Sequence, residues 1–380
     1  MRLLFALPLL SSVGLLLSGQ TAPAPAGPAI KWRGAVWASA AVSDRQTADG
    51  GLFLRSMDSG DGHFALDGLQ VGADVTLTDG WSLKFTALAG QDGKVLNATS
   101  LESGSVAFPE AMLVWTGAKD TVRLGRMYTA MGMEVMDHTL DVTASRGLLF
   151  TYALPFGQVG LNWHHAFTAS WSADLYLTNG EDRIKDNNRG KTAGLGLTYN
   201  HAGATDKFVT LMAYSGAEQD VTNANAHSGL EGRKRERLCL TGQWVWGAGT
   251  LQWEGELAQE PNPEQMGSPE KEKWSGLGLI YKYQFSAGWA GFLRAESLKD
   301  NSGVRLGWDA SLASRYGIRA GNDLQATSIA LGAERRWHST FSRLELRRER
   351  LNKDVNEGAA AHNAPFRSAT SLTWSFGTSF

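Results

Sequence analysis

One cysteine, Cys239, stands alone in 380 residues, which excludes an intramolecular disulfide framework and any paired-cysteine redox or zinc motif. Proline is scarce at 10 residues, so neither a collagen-like nor a Pro-rich disordered chain is in view. No sign of charge dominates: 36 Lys+Arg face 38 Asp+Glu, and no long basic run occurs. A nucleic-acid footprint is absent on that ground. Long apolar runs are missing as well. Only 43% of the chain is hydrophobic and the mean hydropathy is -0.23. A spanning helix needs roughly 20 mostly apolar residues in a row, and the one run near that length opens the chain. Glycine, at 44, and tryptophan, at 14, are the plentiful residues.

The opening run has the layout of an export signal. Arg2 supplies the positive region, Leu3 to Leu17 the apolar stretch, and Ala24-Pro25-Ala26 a small-residue cleavage site. Residues 1–26 are therefore expected to be a signal peptide, followed by a single domain over 27–380. No cysteine lies near the cleavage site, so a lipid anchor there is excluded.

Beyond residue 27 the dominant signal is alternation with period two, the strand period. Leu372, Trp374 and Phe376 alternate with Thr373, Ser375 and Gly377, and the chain ends on Phe380. Trp81, Leu83 and Phe85 alternate with Ser82, Lys84 and Thr86; Leu344 and Leu346 alternate with Arg343, Glu345 and Arg347. Short Gly-, Asp- or Ser-containing turns join the segments in pairs at 78–80, 117–120, 168–170, 201–206, 247–249, 286–288 and 337–340. Longer polar stretches separate the pairs: 43–63, 92–107, 129–154, 181–190, 218–235, 260–272, 299–321 and 351–366. This layout predicts an all-β protein, a transmembrane antiparallel β-barrel of about sixteen strands. Short turns would lie on a periplasmic rim and long loops on an extracellular one.

Alternation alone does not separate such a barrel from a soluble sandwich, which would bury the apolar face instead. Three features favour the barrel. Trp81, Trp171, Trp246, Trp289 and Trp337 sit beside short turns, where an interfacial aromatic girdle belongs. The terminal Phe380 closes an alternating aromatic strand, as in the targeting signal of bacterial outer-membrane barrels. Charges of both signs occupy the polar face in mid-strand, which requires water on that face.

Three stretches resemble the OmpL-like family of outer-membrane β-barrel porins. They are Arg126-Met127-Tyr128 with Gly132 and Glu134; Ser145-Arg146 with Phe150 to Phe156 and Gly160; and Asn179-Gly180 with Asp186-Asn187-Asn188 and Gly190-Lys191-Thr192. The resemblance is strong by motif from about 120 to 195 and covers most of the rest by layout. The family often has Pro-Gly where this chain has Ala130-Met131-Gly132. The resemblance implies a pore-type barrel in the outer membrane of a Gram-negative-type envelope, and no particular substrate.

A pore needs a water-filled lumen, a constriction and charges that set selectivity. Loop 129–154, folded into the lumen, is the expected constriction, with Glu134, Asp137 and Asp141 as its negative charges. Arg33, Lys84, Arg123, Arg294, Arg343 and Arg347 are expected to line the facing wall; the bland alternative is that these charges only pair among themselves. The expected function is passive diffusion of small hydrophilic solutes, and the competing reading is a plugged barrel serving as an adhesin, binding or structural wall protein. Expected partners are outer-membrane lipid, the solutes, a barrel-assembly machinery reached through the strand ending in Phe380, and two further copies in a homotrimer. No cofactor, metal or catalysis is expected. The adjacent His164 and His165 point to opposite faces of a strand and cannot share one metal. Loop 181–190 is rich in oxygen ligands but lacks EF-hand spacing, and His227-Ser228 lies in a polar loop with no GxSxG elbow.

Overall fold

The computed structural model describes residues 28–45, 51–58, 60–100, 102–186, 188, 190–218, 234–261, 271–301, 303, 305–306, 323–355 and 366–380. The expected signal peptide, residue 187 and His227-Ser228 lie outside the described residues.

Sixteen strands follow one another along the chain. The first eight are β1 (Ala29–Ser43), β2 (His63–Thr76), β3 (Trp81–Ala89), β4 (Val106–Thr116), β5 (Asp120–Tyr128), β6 (Gly157–Ala166), β7 (Trp171–Glu181) and β8 (Thr192–Asn200). The rest are β9 (Lys207–Ala217), β10 (Lys234–Trp246), β11 (Gly249–Pro261), β12 (Lys271–Ser286), β13 (Trp289–Asp300), β14 (Leu324–Trp337), β15 (Thr340–Val355) and β16 (Phe366–Ser379). Each pairs antiparallel with its neighbours in sequence, and β16 pairs with β1, so the sheet is a closed barrel.

The seven expected short turns all connect paired strands at one rim. Asp79 (φ 52°) and Gly80 (φ 81°) adopt the left-handed backbone that a tight hairpin requires. Closure is completed by the last residue. Gly34 N donates to Phe380 O at 3.0 Å, and Phe380 N donates back to Gly34 O at 2.9 Å. A terminal residue on an open sheet would leave those groups unpaired; here β1 and β16 pair them at the short-turn rim.

The outer wall is apolar. Leu83, Leu124, Leu195, Leu257, Leu277 and Ile329 are exposed, as are the five expected girdle tryptophans. Aromatic pairs follow that rim: Trp171 with Tyr199 (4.9 Å), Trp246 with Tyr281 (6.0 Å) and Trp337 with Phe376 (6.2 Å). The alternate side chains turn inward and are mostly polar or charged. This is the inverse of a soluble sandwich and matches a wall facing lipid. No helix among the described residues is long and apolar enough to span a membrane; the strands do that work.

Two elements inside the long stretches carry no period-two signal and were not anticipated. Helix α1 (Gln91–Thr99) lies between β3 and β4, and a π-helical turn covers Leu149–Ala153.

A closed barrel resists dodecyl sulfate at room temperature because its backbone hydrogen bonds form one ring with no free edge. Unheated protein is expected to migrate differently from boiled protein on the same gel; identical mobility of refolded and boiled samples would contradict the closed barrel.

Candidate functional site

The chain between β5 and β6 leaves the wall at Gly132, whose φ of 96° lets it turn sharply. Its two ends are tied together: Thr129 N donates to Phe156 O at 3.0 Å. Asp182, just past β7, accepts from Phe156 N (2.7 Å) and Gly157 N (3.0 Å) and pins that base to the rim. Within the loop Arg146 is the hub. Its guanidinium donates to Asp141, to Val135 O, to Met136 O (2.6 Å) and to Asp92 of α1 (3.1 Å), and lies 4.8 Å over the Phe150 ring. Asp141 also accepts from Val135 N (2.9 Å) and faces His138 Nδ1 at 3.0 Å. Asp137 accepts from Thr139 N (3.0 Å) and Oγ1 (2.6 Å).

Such an irregular segment exposes peptide groups that its own backbone does not satisfy, and the wall satisfies them. Arg343 on β15 donates to the carbonyls of His138 (2.9 Å), Thr143 (3.2 Å) and Asp141. Arg347 donates to Arg146 O (2.5 Å) and Ser145 Oγ (3.0 Å). Arg294 on β13 donates to Ser145 O (2.6 Å), Thr143 Oγ1 (2.9 Å) and the Glu134 carboxylate (3.0 Å). Carboxylates receive the loop's N–H groups: Glu254 takes Met133 N (2.8 Å), Glu345 takes Ala144 N (3.0 Å), and Glu296 takes Leu148 N (3.0 Å) and Leu149 N (3.1 Å). In a ring of sixteen, β13 stands eight strands from β5. The loop thus begins at one wall and hydrogen-bonds to the opposite one. The planar five-donor guanidinium suits this task because one side chain reaches several carbonyls at once.

The expected site residues fall into three groups. Glu134, Asp141, Arg294, Arg343 and Arg347 come together where the loop meets β13 and β15; the three arginines are fully buried. Asp137, on the same loop, is half-buried; its carboxylate accepts from Thr139 within the loop and from Gln70 Nε2 on β2 at 3.5 Å. Arg33 and Lys84 share the Glu110 carboxylate on β4, at 3.0 and 2.8 Å. Arg123 donates to Asn162 at 2.5 Å across β5–β6, and Arg126 donates instead to Ser100 at 3.1 Å. His164 and Asp174 pair at 3.1 Å on the inner face, and His165 turns the other way to Asp120 at 2.7 Å.

Sequence reasoning missed Arg146, His138, Asp92, Glu254, Glu296 and Glu345. The last three sit at inward alternating positions and were readable by register, whereas the roles of Arg146, His138 and Asp92 depend on how the loop coils.

Solvent access divides the inner wall. Asp74 (40% exposed), Lys84 (39%) and Arg33 (24%) reach water, and Arg123, His164 and Asp174 are half-buried toward the short-turn rim. On the β10–β15 side Gln243, Gln252, Glu254 and Glu334 are buried. His138 and Arg146 of the loop, with Asp67 and Asp92, border a cavity of about 10 Å³, room for one water. Among the described residues no group of three or more His, Cys, Asp or Glu is placed to hold a metal ion. In loop 181–190, Asp186 is taken by Lys191 and by Asn188 N (3.0 Å).

Burial sets the protonation of the loop. It pushes the Glu134 carboxyl up to about 7 and the Asp92 carboxyl up to about 6. It would raise Asp141 too, but the Arg146 guanidinium outweighs it and holds that carboxyl below the usual range. Burial and the same guanidinium push the His138 imidazole down to about 4.

Residues 29–380 match the family described as "Putative beta-barrel porin-2, OmpL-like". No curated protein matches the chain. Among solved structures it is similar to the trimer form of in-vitro folded OmpT, an outer membrane protein of Vibrio cholerae. That likeness has a TM-score of 0.58 and 13% identity over 93% of this chain and 100% of the other. It is also similar to the outer membrane channel DcaP of Acinetobacter baumannii, with a TM-score of 0.57 and 10% identity over 96% and 100%. Salmonella typhi OmpF gives a TM-score of 0.57 and 13% identity over 92% and 97%. At these identities the likeness establishes the fold alone.

His138 makes a pH test of the loop. Below pH 6.5 the unfolded chain takes up a proton that the folded protein refuses until about pH 4. Through His138 alone, folding loses stability as pH falls through that window, by up to about 3 kcal/mol, while the raised Glu134 and Asp92 carboxyls act in the opposite sense. In urea titrations of protein folded into lipid vesicles, His138→Gln is expected to lose less stability than wild type between pH 6.5 and 4. Parallel pH profiles would refute a neutral buried imidazole.

Proposed function

The chain belongs to the OmpL-like β-barrel porin family and is a multi-pass barrel of the bacterial outer membrane, and from that premise we propose that it is a channel for small hydrophilic solutes whose lumen is narrowed by loop 129–154. One observation carries the reading: the loop is fastened to the wall opposite its origin, while the inner face of β1–β7 keeps charged side chains in contact with water. The path is therefore off-centre. It runs past Arg33, Asp74, Lys84, Arg123, His164 and Asp174, and the loop with Arg294, Arg343 and Arg347 forms its far bank. On this reading Glu134 and Asp141 position the loop, since their carboxylates are already engaged by arginines. Solute contact falls to the half-exposed set, where Arg33, Lys84 and Arg123 stand beside Asp74 and Asp174.

A trimer is part of the proposal, supported by the trimer form of the similar OmpT fold. So is recognition of the β16 strand, ending in Phe380, by assembly machinery. A plugged barrel is the second reading. It is favoured by the complete burial of Arg294, Arg343 and Arg347 against the loop, which leaves no gap on that side.

Folded protein in a planar bilayer under a salt gradient is expected to give discrete current steps. Arg343→Ala, which removes donors from His138 O, Thr143 O and Asp141 O, should give larger and noisier steps because the loop is freer to move. Silence from folded, inserted wild type would overturn the channel in favour of the plug.

A further inference from the structure

The outer wall differs from one side of the barrel to the other. At the long-loop end, the outward rows of β6–β9 carry Val159, Asn179, Ala193 and Ser215, none of them charged. The outward rows of β12, β13 and β15 carry cations there instead: Lys273, Lys299, Arg348 and Arg350, all exposed. Other exposed cations near this rim have acidic partners. Lys271 pairs with Glu236 at 3.2 Å, Arg367 with Asp354 at 2.5 Å, and Lys191 with Asp186. Lys273, Lys299, Arg348 and Arg350 form no ion pair among the described residues, although Asp323 stands close by at the head of β14. Arg348 donates to Ser368 Oγ at 3.3 Å, which leaves its charge unneutralised.

The sheet register gathers the four into one patch. Ser275 pairs with Lys299 across β12–β13, Lys299 with Gln325 across β13–β14, and Thr327 with Arg350 across β14–β15. Neighbouring strands stand about 4.8 Å apart, so the three intervals from β12 to β15 span about 14 Å. Between the cations lie neutral hydrogen-bonding groups: Gln325 Nε2 donates to Ser297 Oγ at 3.5 Å, and Asn352 Nδ2 to Asp323 O at 3.0 Å. Depth follows from the same rows. Trp289, in the girdle, and Lys299 end one outward row of β13, ten residues apart. At about 3.3 Å per residue and a tilt of about 40°, that is ~25 Å along the barrel axis, the height of the apolar band. Lys299 therefore stands at headgroup level. Arg348 sits at the boundary, with Ile329 and Thr370 as ladder partners and Leu346 as the next outward residue below it. Its stem covers apolar surface while its guanidinium reaches the polar layer.

Cations without acidic partners at headgroup depth are complementary to phosphate. A guanidinium fork matches phosphate oxygens in pairs, and lysine adds a point charge. Four cations over a width of three strand intervals exceed what one phosphodiester can engage. They suit a sugar headgroup that bears more than one phosphate. The long-loop rim faces the outer leaflet, so the lipid must come from there. We infer that Lys273, Lys299, Arg348 and Arg350 form a docking surface for a phosphorylated glycolipid of the outer leaflet. Its phosphates meet the four cations, and its acyl chains lie along the exposed Leu277, Leu293 and Ile329. The surface is on the outside of the wall, so it does not depend on whether the lumen conducts or is plugged.

The test adds bisphosphorylated lipid A to refolded full-length protein in nonionic detergent and follows retained lipid by native mass spectrometry. Wild type is expected to retain it, and to retain lipid A stripped of its phosphates, or phosphatidylglycerol, far less. Two double variants, Lys273→Gln with Lys299→Gln and Arg348→Gln with Arg350→Gln, should each weaken retention by about tenfold or more, since each removes two charges from the phosphates. Lys119→Gln, an exposed lysine in a short turn at the other rim, should leave it unchanged. Heat-modifiable mobility confirms that each variant is folded. Absence of retention by wild type overturns the site. So does equal retention of dephosphorylated lipid A or of phosphatidylglycerol, and so does retention that survives both double variants. Equal loss in Lys119→Gln would show nonspecific charge attraction and overturn it too.

Discussion

Lipid offers no hydrogen-bond partners, and every other feature of this molecule follows from that. Each N–H and C=O of a spanning segment must be satisfied within the protein, at a cost of several kcal/mol for each that is not. A sheet meets the demand only by closing. In this chain closure depends on the β1–β16 ladder, and its last bonds run between Gly34 and Phe380. The terminal aromatic is thus structural in a direct sense: its backbone completes the ring and its side chain stays on the exposed rim. Once the ring is closed, the polarity of the two faces is forced. The outer face meets hydrocarbon, so most of the wall's charges turn inward.

The same constraint returns along the inner face of the barrel in milder form. Loop 129–154 is irregular, is cut off from bulk water over much of its length, and has peptide groups without secondary-structure partners. Its solution is to borrow donors and acceptors from the wall. Guanidinium groups of β13 and β15 take its carbonyls, and carboxylates of β11, β13 and β15 take its amides. The buried charges are in turn paired with one another, as in Arg294–Glu134 and Arg343–Glu334, at 3.0 and 2.8 Å. Removing one member would leave the other buried and unpaired, which is far costlier than losing an exposed pair. The inner wall on that side therefore acts as a holder for the loop, and the opposite side is left to face solvent.

How much of this was legible in the residues depends on the range of the interaction concerned. Strand identity and turn position are local: Asp79-Gly80 needs left-handed backbone wherever it occurs, and alternation such as Leu344, Leu346 against Arg343, Glu345, Arg347 names its own inward face. The inward placement of Arg294, Arg343 and Arg347 was readable for that reason. Helix α1 and the turn at Leu149–Ala153 were not, because each takes its shape from what surrounds it. Glu296, for example, receives the amides that open the π-helical turn, and it lies 147 residues away from Leu149.

By itself, then, the sequence determined the class of fold, the approximate number of strands, which rim carries the short turns, and which side chains face inward. Those properties rest on period-two patterning and turn chemistry, both read within a few residues. Only the tertiary structure decided how the inward charges are used. Arg123, Arg294 and Arg343 are the same residue type at equivalent inward positions, yet two are buried against loop carbonyls and one stands half-exposed beside Asn162. The difference lies in which strands the loop meets after crossing the barrel, and that is set by the closure of the ring, to which no short stretch of sequence refers.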